Sequence, residues 1–122
     1  MRARKTSARR KARRRLFREV KGNFGKRGKL VKMATETLFR ARAFAFHHRR
    51  AKKRDFRSLW IIRVTAACEQ RGIRYSQFIN GLLKANVSLN RKSLSEIAIH
   101  SPHVFDQLVD LARGAQIGRA HV

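Results

Sequence analysis

The positive charge of this chain is concentrated in its first half. Residues 1–63 contain 24 Lys or Arg and three Asp or Glu, whereas residues 64–122 contain seven and four. Because like charges repel, the first half cannot collapse into a compact core unless counterions or a polyanion screen it. Nucleic acid is the polyanion that fits best, since each phosphate carries a fixed charge and releases a counterion when a basic side chain contacts it.

The rest of the composition excludes other classes of protein. The chain has one cysteine, Cys68, so a secreted disulfide scaffold is excluded and a reducing compartment is expected. Its alanine neighbours predict a buried apolar role for this thiol. No apolar run approaches the ~18–20 residues that span a bilayer, and the N-terminus lacks the apolar segment of a signal peptide.

The N-terminal segment predicts a basic arm. Apolar residues recur every four positions between Ala8 and Val20, a thin stripe on a helix that is otherwise charged. Residues 2–21 are therefore either a disordered tail or a helix that orders when phosphates surround it. Three glycines in Gly22–Gly28 break this helix, as a flexible hinge or as a turn held against nucleic acid.

A second, much longer helix is predicted after this break. From Leu30 to Arg71 the chain has neither Gly nor Pro, and its apolar residues keep helical spacing. We expect one helix of about 40 residues that Gly72 ends, with a length of about 60 Å. A globule of ~50 residues has a radius of gyration of only ~10 Å, so a partner outside the chain must cover part of this helix.

The last third of the chain predicts three short amphipathic helices. Ser76 is expected to cap the first and Asn90 the second. Ser101 and Pro102 suit the start of the third, which Gly114 would end. Packed on the end of the long helix, they would form a four-helix cluster large enough for one core.

The arm and the cluster meet in the segment Arg49–Arg63. Basic residues fill its first part, and Leu59 and Trp60 begin its apolar part. We expect an all-α fold, with a basic helical arm over residues 1–57 and a small helical globular domain over residues 58–122. Trp60 is predicted to anchor the core rather than to stack on a base.

No set of residues predicts catalysis, a metal or a cofactor. Adjacent His47 and His48 point about 100° apart on a helix, so they cannot both bind one metal from one face. They are expected near phosphates instead. His100, His103 and Asp106 have the spacing of an acid–base group, but a helix is expected to begin between the two histidines. We therefore expect a protein that is not an enzyme.

Three segments resemble one known family. They are KRDFRSLWIIRVTAA at 53–67, YSQFINGLLKANVSLNRKSLSEIA at 75–98 and VKGNFG at 20–25. All are similar to blocks of the bacterial-type large-subunit ribosomal protein L20 family, and the resemblance extends from about Arg9 to Leu111. It implies an arm of two helices threaded through large-subunit ribosomal RNA, a globular domain on the RNA surface and a role in subunit assembly. Some bacterial members also repress their own operon.

The resemblance also implies the partners, which are ribosomal RNA and neighbouring large-subunit proteins, with no membrane and no homo-oligomer. Charge and resemblance together predict an RNA-binding set of seventeen basic residues. They are Arg9, Arg10, Lys11, Arg13, Arg14, Arg15, Lys21, Lys26, Arg27, Lys29, Arg49, Arg50, Lys52, Lys53, Arg54, Arg57 and Arg63. Duplex DNA readers confine their base contacts to one groove-facing surface, whereas charge around a whole helix suits folded RNA. The alternative is a basic DNA-binding or DNA-compacting protein with a helical C-terminal domain.

The chain departs from the family pattern at three places. Family members usually read Tyr-Arg-Asp-Arg-Arg where this chain has Phe46–Arg50. Asparagine is usual at the position of Thr65, and a basic or small residue at that of Glu69. These departures favour a mitochondrial or plastid source over a bacterial cytoplasm.

Overall fold

The computed structural model describes residues 7–117, and every regular element in this range is helical. The elements are α1 (Ser7–Glu19), a 3-10 turn (Gly25–Gly28), α2 (Val31–Glu69), α3 (Tyr75–Lys84), α4 (Arg91–His100) and α5 (Pro102–Ile117). The all-α prediction is confirmed. The part of the predicted first helix before Ser7 lies outside the described residues. None of the described helices is both long and apolar enough to cross a membrane.

The chain divides into two compact units, residues 1–51 and residues 52–122. The first unit has almost no core, because α1 buries none of its residues. Its buried apolar residues within the described range are Val20 and Ala34. An exposed ion pair of 2.5 Å joins Glu19 at the end of α1 to Arg42 in α2. Such a pair adds little stability in water, so the arm depends on something other than its own packing.

The glycine-rich segment forms a turn. Gly22 and Gly25 have positive φ values of 94° and 58°, which L side chains rarely adopt. A Cβ on Gly28 would lie 3.1 Å from the carbonyl oxygen of Asn23, so the backbone is closely folded here. The described geometry is a turn, and a contact of this turn with nucleic acid stays a prediction.

The long helix is confirmed, since α2 runs without a break over 39 residues. It ends where Gly72 was predicted to end it, with φ of 68°. The Gly72 N–H donates to the carbonyl of Glu69 at 3.0 Å, and the Ile73 N–H donates to that of Cys68 at 3.1 Å. This is the Schellman arrangement, in which the residue after the glycine packs against the last turn. Ile73 and Cys68 are accordingly both buried in the core.

Two predicted helix ends are wrong. Helix α3 begins at Tyr75, not after Ser76, because the chain turns directly from the buried Ile73 into the helix. The Arg74 carbonyl accepts the first helical bond, from Phe78 N–H at 2.9 Å. The start of α4, by contrast, is as predicted. Asn90 caps this helix, since its side chain accepts a hydrogen bond from the Ser93 N–H at 2.8 Å.

The end of α5 is the other wrong prediction, because Gly114 does not stop this helix and α5 continues to Ile117. Glycine inside a helix costs about 1 kcal/mol relative to alanine, which a tertiary contact can offset. Here the Gln116 side chain donates to the carbonyl of Gln77 in α3 at 2.7 Å and holds the last turn in place. The predicted start at Pro102 is confirmed.

The core lies in the second unit and is built from α2, α3, α4 and α5. Phe78 and Phe105 are fully buried at its centre, with ring centroids 5.1 Å apart. The other buried members are Val64, Ala67, Cys68, Ile73, Leu82, Leu94, Val109 and Ala112. The predicted buried role of Cys68 is confirmed, and burial raises the pKa of its thiol to about 11. The thiol is therefore protonated at neutral pH.

The prediction that Trp60 anchors the core is wrong. Trp60 is only half-buried and does not belong to the core cluster, and neither does Leu59. Ile62, in the same apolar run, is 62% exposed. The core-facing part of α2 begins one turn later, at Val64, because that is the level at which the other helices pack against it.

Candidate nucleic-acid interface

The seventeen predicted RNA-binding residues share one property in the structure, which is that every one of them is exposed. Within residues 7–117 there are two ion pairs, Glu19–Arg42 and Arg71–Asp106, and neither includes a member of the set. The charge of the set is therefore not compensated by acidic side chains of the described chain. We call these seventeen residues the basic surface.

Helix α1 carries the densest part of the basic surface. Its members are Arg9, Arg10, Lys11, Arg13, Arg14 and Arg15. At 100° per residue, these six positions spread over about 240° of the helix circumference. The remaining sector holds Ala8, Ala12 and Leu16. A helix with this distribution can contact phosphates on several sides at once.

Near residue 50, aromatic rings position basic side chains. The Arg50 guanidinium lies 3.7 Å from the ring centroid of Phe46, and its Nη1 donates to the Phe46 carbonyl at 3.0 Å. Arg40 lies over Phe44 in the same way, at 5.9 Å. Holding a guanidinium over a ring restricts its rotamers, so less entropy remains to be lost when a phosphate binds.

The two adjacent histidines diverge, as their helical spacing predicts. The His47 ring contacts Phe46 at a centroid distance of 5.6 Å, whereas the His48 ring contacts Phe44 at 5.8 Å. Among residues 7–117, no group of three or more His, Cys, Asp or Glu side chains could hold a metal ion. The expectation that the histidines lie near phosphates stays a prediction.

Arg71 is a basic residue with a structural role that the sequence did not reveal. Its Nε pairs with Asp106, its Nη1 donates to the Ala67 carbonyl at 2.9 Å, and its Nη2 donates to the Pro102 carbonyl at 3.3 Å. Its guanidinium also lies 4.9 Å from the Phe105 ring centroid. Arg71 thus joins the end of α2 to α5. Asp106 therefore pairs with Arg71 and does not form an acid–base pair with His100 or His103.

A basic cleft with an aromatic floor lies in the second unit. The rings of Phe56 and Trp60 on α2 are 6.2 Å apart and inclined by 37°. They line an open cavity of about 580 Å³. The other lining residues are Lys52, Lys53, Arg57, Arg63, Lys92 and Glu96. We call this group of eight residues the Phe56–Trp60 cleft. Four of its basic residues belong to the predicted RNA-binding set, whereas the sequence predicts Trp60 to lie in the core.

Comparison with known proteins decides the family. The family model described as ribosomal protein L20 matches residues 2–108. The chain belongs to the ribosomal protein L20 family. The resemblance seen in the three sequence segments is confirmed.

Several bacterial relatives share most of their length with this L20-family chain. A protein of Rhodopirellula baltica is 54% identical over 110 residues, which cover 90% of this chain and 93% of the relative. One of Methylacidiphilum infernorum is 45% identical over 104 residues, covering 85% and 87%. One of Ureaplasma parvum is 47% identical over 116 residues, covering 90% and 97%. All three are named large ribosomal subunit protein bL20. These bacterial relatives give no support to the expectation of an organellar source.

The positions where this L20-family chain departs from the expected pattern make contacts within their own helix. The Thr65 hydroxyl donates to the Ile61 carbonyl at 2.7 Å. The ring of Phe46 makes the contact with the Arg50 guanidinium that is described above. Glu69 is the last residue of α2, and its charge adds to the rise in the pKa of Cys68. In the stretch Phe46–Arg50 the departures fall on the first three residues, and both Arg49 and Arg50 of the basic surface are kept.

Proposed function

We propose that this L20-family protein binds large-subunit ribosomal RNA and supports assembly of the subunit by neutralising phosphate charge. The observation that carries the proposal is the basic surface, whose seventeen cations are exposed and have no acidic partner among the described residues. A surface of this kind is stable in isolation only with counterions around it. Replacing those counterions by phosphates releases them and favours binding.

The proposed mechanism acts between RNA segments. Two RNA helices repel each other at short range, and a basic helix placed between them offsets this repulsion. Because α1 is charged over most of its circumference, it can contact phosphates on opposite sides of the helix. Arginine dominates this helix, and its planar fork binds phosphate oxygens in pairs. We propose the division expected from the sequence, with residues 1–57 as the RNA-threading arm and residues 58–122 as the globular domain.

The proposed role is structural and does not include catalysis or a cofactor. The acidic groups that metal-assisted chemistry would need are few, with seven Asp and Glu in the whole chain. The proposed partners are large-subunit ribosomal RNA and the neighbouring proteins of the subunit. The globular part would fix the position of the protein on RNA, and the arm would bring RNA segments together.

A binding competition tests the proposal. The full chain is bound to labelled large-subunit ribosomal RNA on filters, and unlabelled ribosomal RNA or duplex DNA of equal phosphate content is added. Ribosomal RNA should displace the label at a much lower concentration than DNA, because folded RNA offers phosphates on several sides. Equal displacement by DNA would support the alternative DNA-binding function instead.

Reconstitution tests the assembly role separately. Large subunits are assembled from their RNA and proteins with and without this chain. Omission should cause particles that sediment more slowly and lack other proteins, and later addition of the chain should restore them. Complete subunits formed without the chain would contradict a role in assembly, even if RNA binding were confirmed.

A further inference from the structure

The Phe56–Trp60 cleft has features that charge neutralisation does not require. Phe56 is 46% exposed, although a phenylalanine side chain gains free energy when it leaves water. Trp60 is half-buried beside it, and both residues line the cavity. Phosphate binding alone would need the basic rim but no aromatic floor. The floor therefore indicates a ligand with an apolar, flat part.

The charge of the rim indicates what accompanies that flat part. Five of the eight lining residues are Lys or Arg, and one is acidic. The basic residues are Lys52, Lys53, Arg57, Arg63 and Lys92. A ligand that satisfies both the rim and the floor is anionic and aromatic at once. The volume of about 580 Å³ lies within the range of about 300–1,000 Å³ in which proteins bind small organic groups.

We propose that the Phe56–Trp60 cleft binds an unstacked nucleotide of single-stranded or looped RNA. The base stacks on the ring of Phe56 or Trp60, and the flanking phosphates contact the basic rim. A base paired within a duplex has both faces covered, so only an unpaired nucleotide can present one to the rings. This inference rests on the proposed function and specifies the kind of RNA element that the second unit recognises.

The chain carries its own reporter for this cleft. Trp60 is the single tryptophan, so the intrinsic tryptophan fluorescence of the full chain reports on the cleft, whatever else binds to residues 1–51. Titration with decauridylate should quench this fluorescence, because its bases are free to stack. A decamer with the same phosphates but no bases, and a blunt RNA duplex, should quench it little.

Variants of Phe56 separate stacking from charge. Phe56→Leu keeps the apolar volume but removes the ring, and it should weaken decauridylate binding about tenfold, as expected for the loss of one stacked base. Phe56→Tyr keeps a ring and should bind like the unchanged chain. Phe39→Leu is the matched control, because Phe39 is also an exposed ring on α2, at 63%, and does not line the cleft. It should leave the quenching unchanged. Far-ultraviolet circular dichroism checks that each variant is folded.

Several outcomes would overturn the inference. Quenching by the abasic decamer as strong as that by decauridylate would show that phosphates alone occupy the cleft. Displacement of decauridylate by hexaglutamate at equal charge would assign the cleft to an acidic protein segment. If the Phe56→Leu variant binds decauridylate as tightly as the unchanged chain does, and the unchanged chain binds ribosomal RNA, the cleft inference fails and the proposed function stands. If the chain does not bind ribosomal RNA at all, the proposed function fails.

Discussion

Gly81 is the residue on which the packing of α3 against α5 depends. A Cβ at this position would lie 2.5 Å from the carbonyl oxygen of Ala112 and 2.7 Å from its Cβ. The first of these neighbours is backbone, which cannot rotate away. Gly114, by contrast, has no neighbouring atom within 4 Å of the position that its Cβ would take. Glycine is therefore required by close packing at position 81 in α3, whereas position 114 in α5 has room for a side chain.

We expect Gly81→Ala to lower the free energy of unfolding by about 1–3 kcal/mol, because the two helices must move apart to admit a methyl group. Gly114→Ala should raise the free energy of unfolding by up to about 1 kcal/mol, since alanine favours a helix and the site has room. Urea denaturation followed by circular dichroism measures both. If both substitutions changed the free energy of unfolding equally, the close approach of Gly81 to Ala112 would be contradicted.

Local sequence chemistry predicted some residues well and others poorly. Gly72 and Asn90 were placed correctly because the preference for a positive φ or for a capping amide belongs to the residue itself. Trp60 was misplaced because helical periodicity identifies a face of a helix but not how far a neighbouring helix covers that face. Its exposure is set by where the core begins, at Val64.

At the scale of elements, Arg71 connects the end of α2 to α5. Its side chain is 19% exposed. It forms an ion pair with Asp106, donates hydrogen bonds to two backbone carbonyls and lies over the ring of Phe105. Its own carbonyl accepts a hydrogen bond from the Arg113 guanidinium. A lysine has one charged nitrogen and cannot reproduce several contacts in different directions.

We expect Arg71→Lys to lower the free energy of unfolding by about 2 kcal/mol, the loss typical of a broken hydrogen bond to a charged group. The matched control is Arg74→Lys, since Arg74 is an exposed arginine three residues later, and this change should stay within about 0.5 kcal/mol. Thermal unfolding of both variants provides the measurement. A substitution at Arg71 as mild as that at Arg74 would show that its contacts contribute little.

Helix existence was more predictable than helix ends. The absence of Gly and Pro predicted α2 along almost its whole length, because no residue interrupts its hydrogen bonding. The end of α5 depends on a contact between helices, that of the Gln116 side chain with the Gln77 carbonyl. Such contacts join residues far apart in sequence, so a local pattern cannot indicate them.

At the scale of the whole molecule, the uneven charge distribution predicted the candidate site more directly than any motif. A long basic segment with few acids must expose its charges, and all seventeen predicted residues are exposed. What the charge pattern could not provide was the Phe56–Trp60 cleft, which requires Lys92 on α4 to lie near α2. The family resemblance indicated the polyanion, since charge alone fits DNA as well as RNA.

The contribution of α1 to RNA binding can be measured from its salt dependence. We expect replacement of the six basic-surface residues of α1 by glutamine in the full chain, with Arg18 kept, to make the affinity for large-subunit ribosomal RNA less sensitive to salt. The residues are Arg9, Arg10, Lys11, Arg13, Arg14 and Arg15. If all six contact phosphates, the slope of log affinity against log salt should fall in magnitude by about 4–5, because each contact contributes about 0.7–0.9. Filter binding between about 50 and 200 mM salt provides the slope.

The matched control for this experiment changes only the five arginines among these six residues to lysine. This variant keeps the charge, so the slope of log affinity against log salt should not change. Its affinity for ribosomal RNA should fall, because lysine cannot form the bidentate contacts of arginine. If the glutamine variant had the slope of the unchanged chain, α1 would not contact phosphates, and binding would have to come from the basic residues elsewhere. A slope lowered equally in the lysine variant would mean that the fork geometry, and not the charge, decides whether α1 lies against RNA.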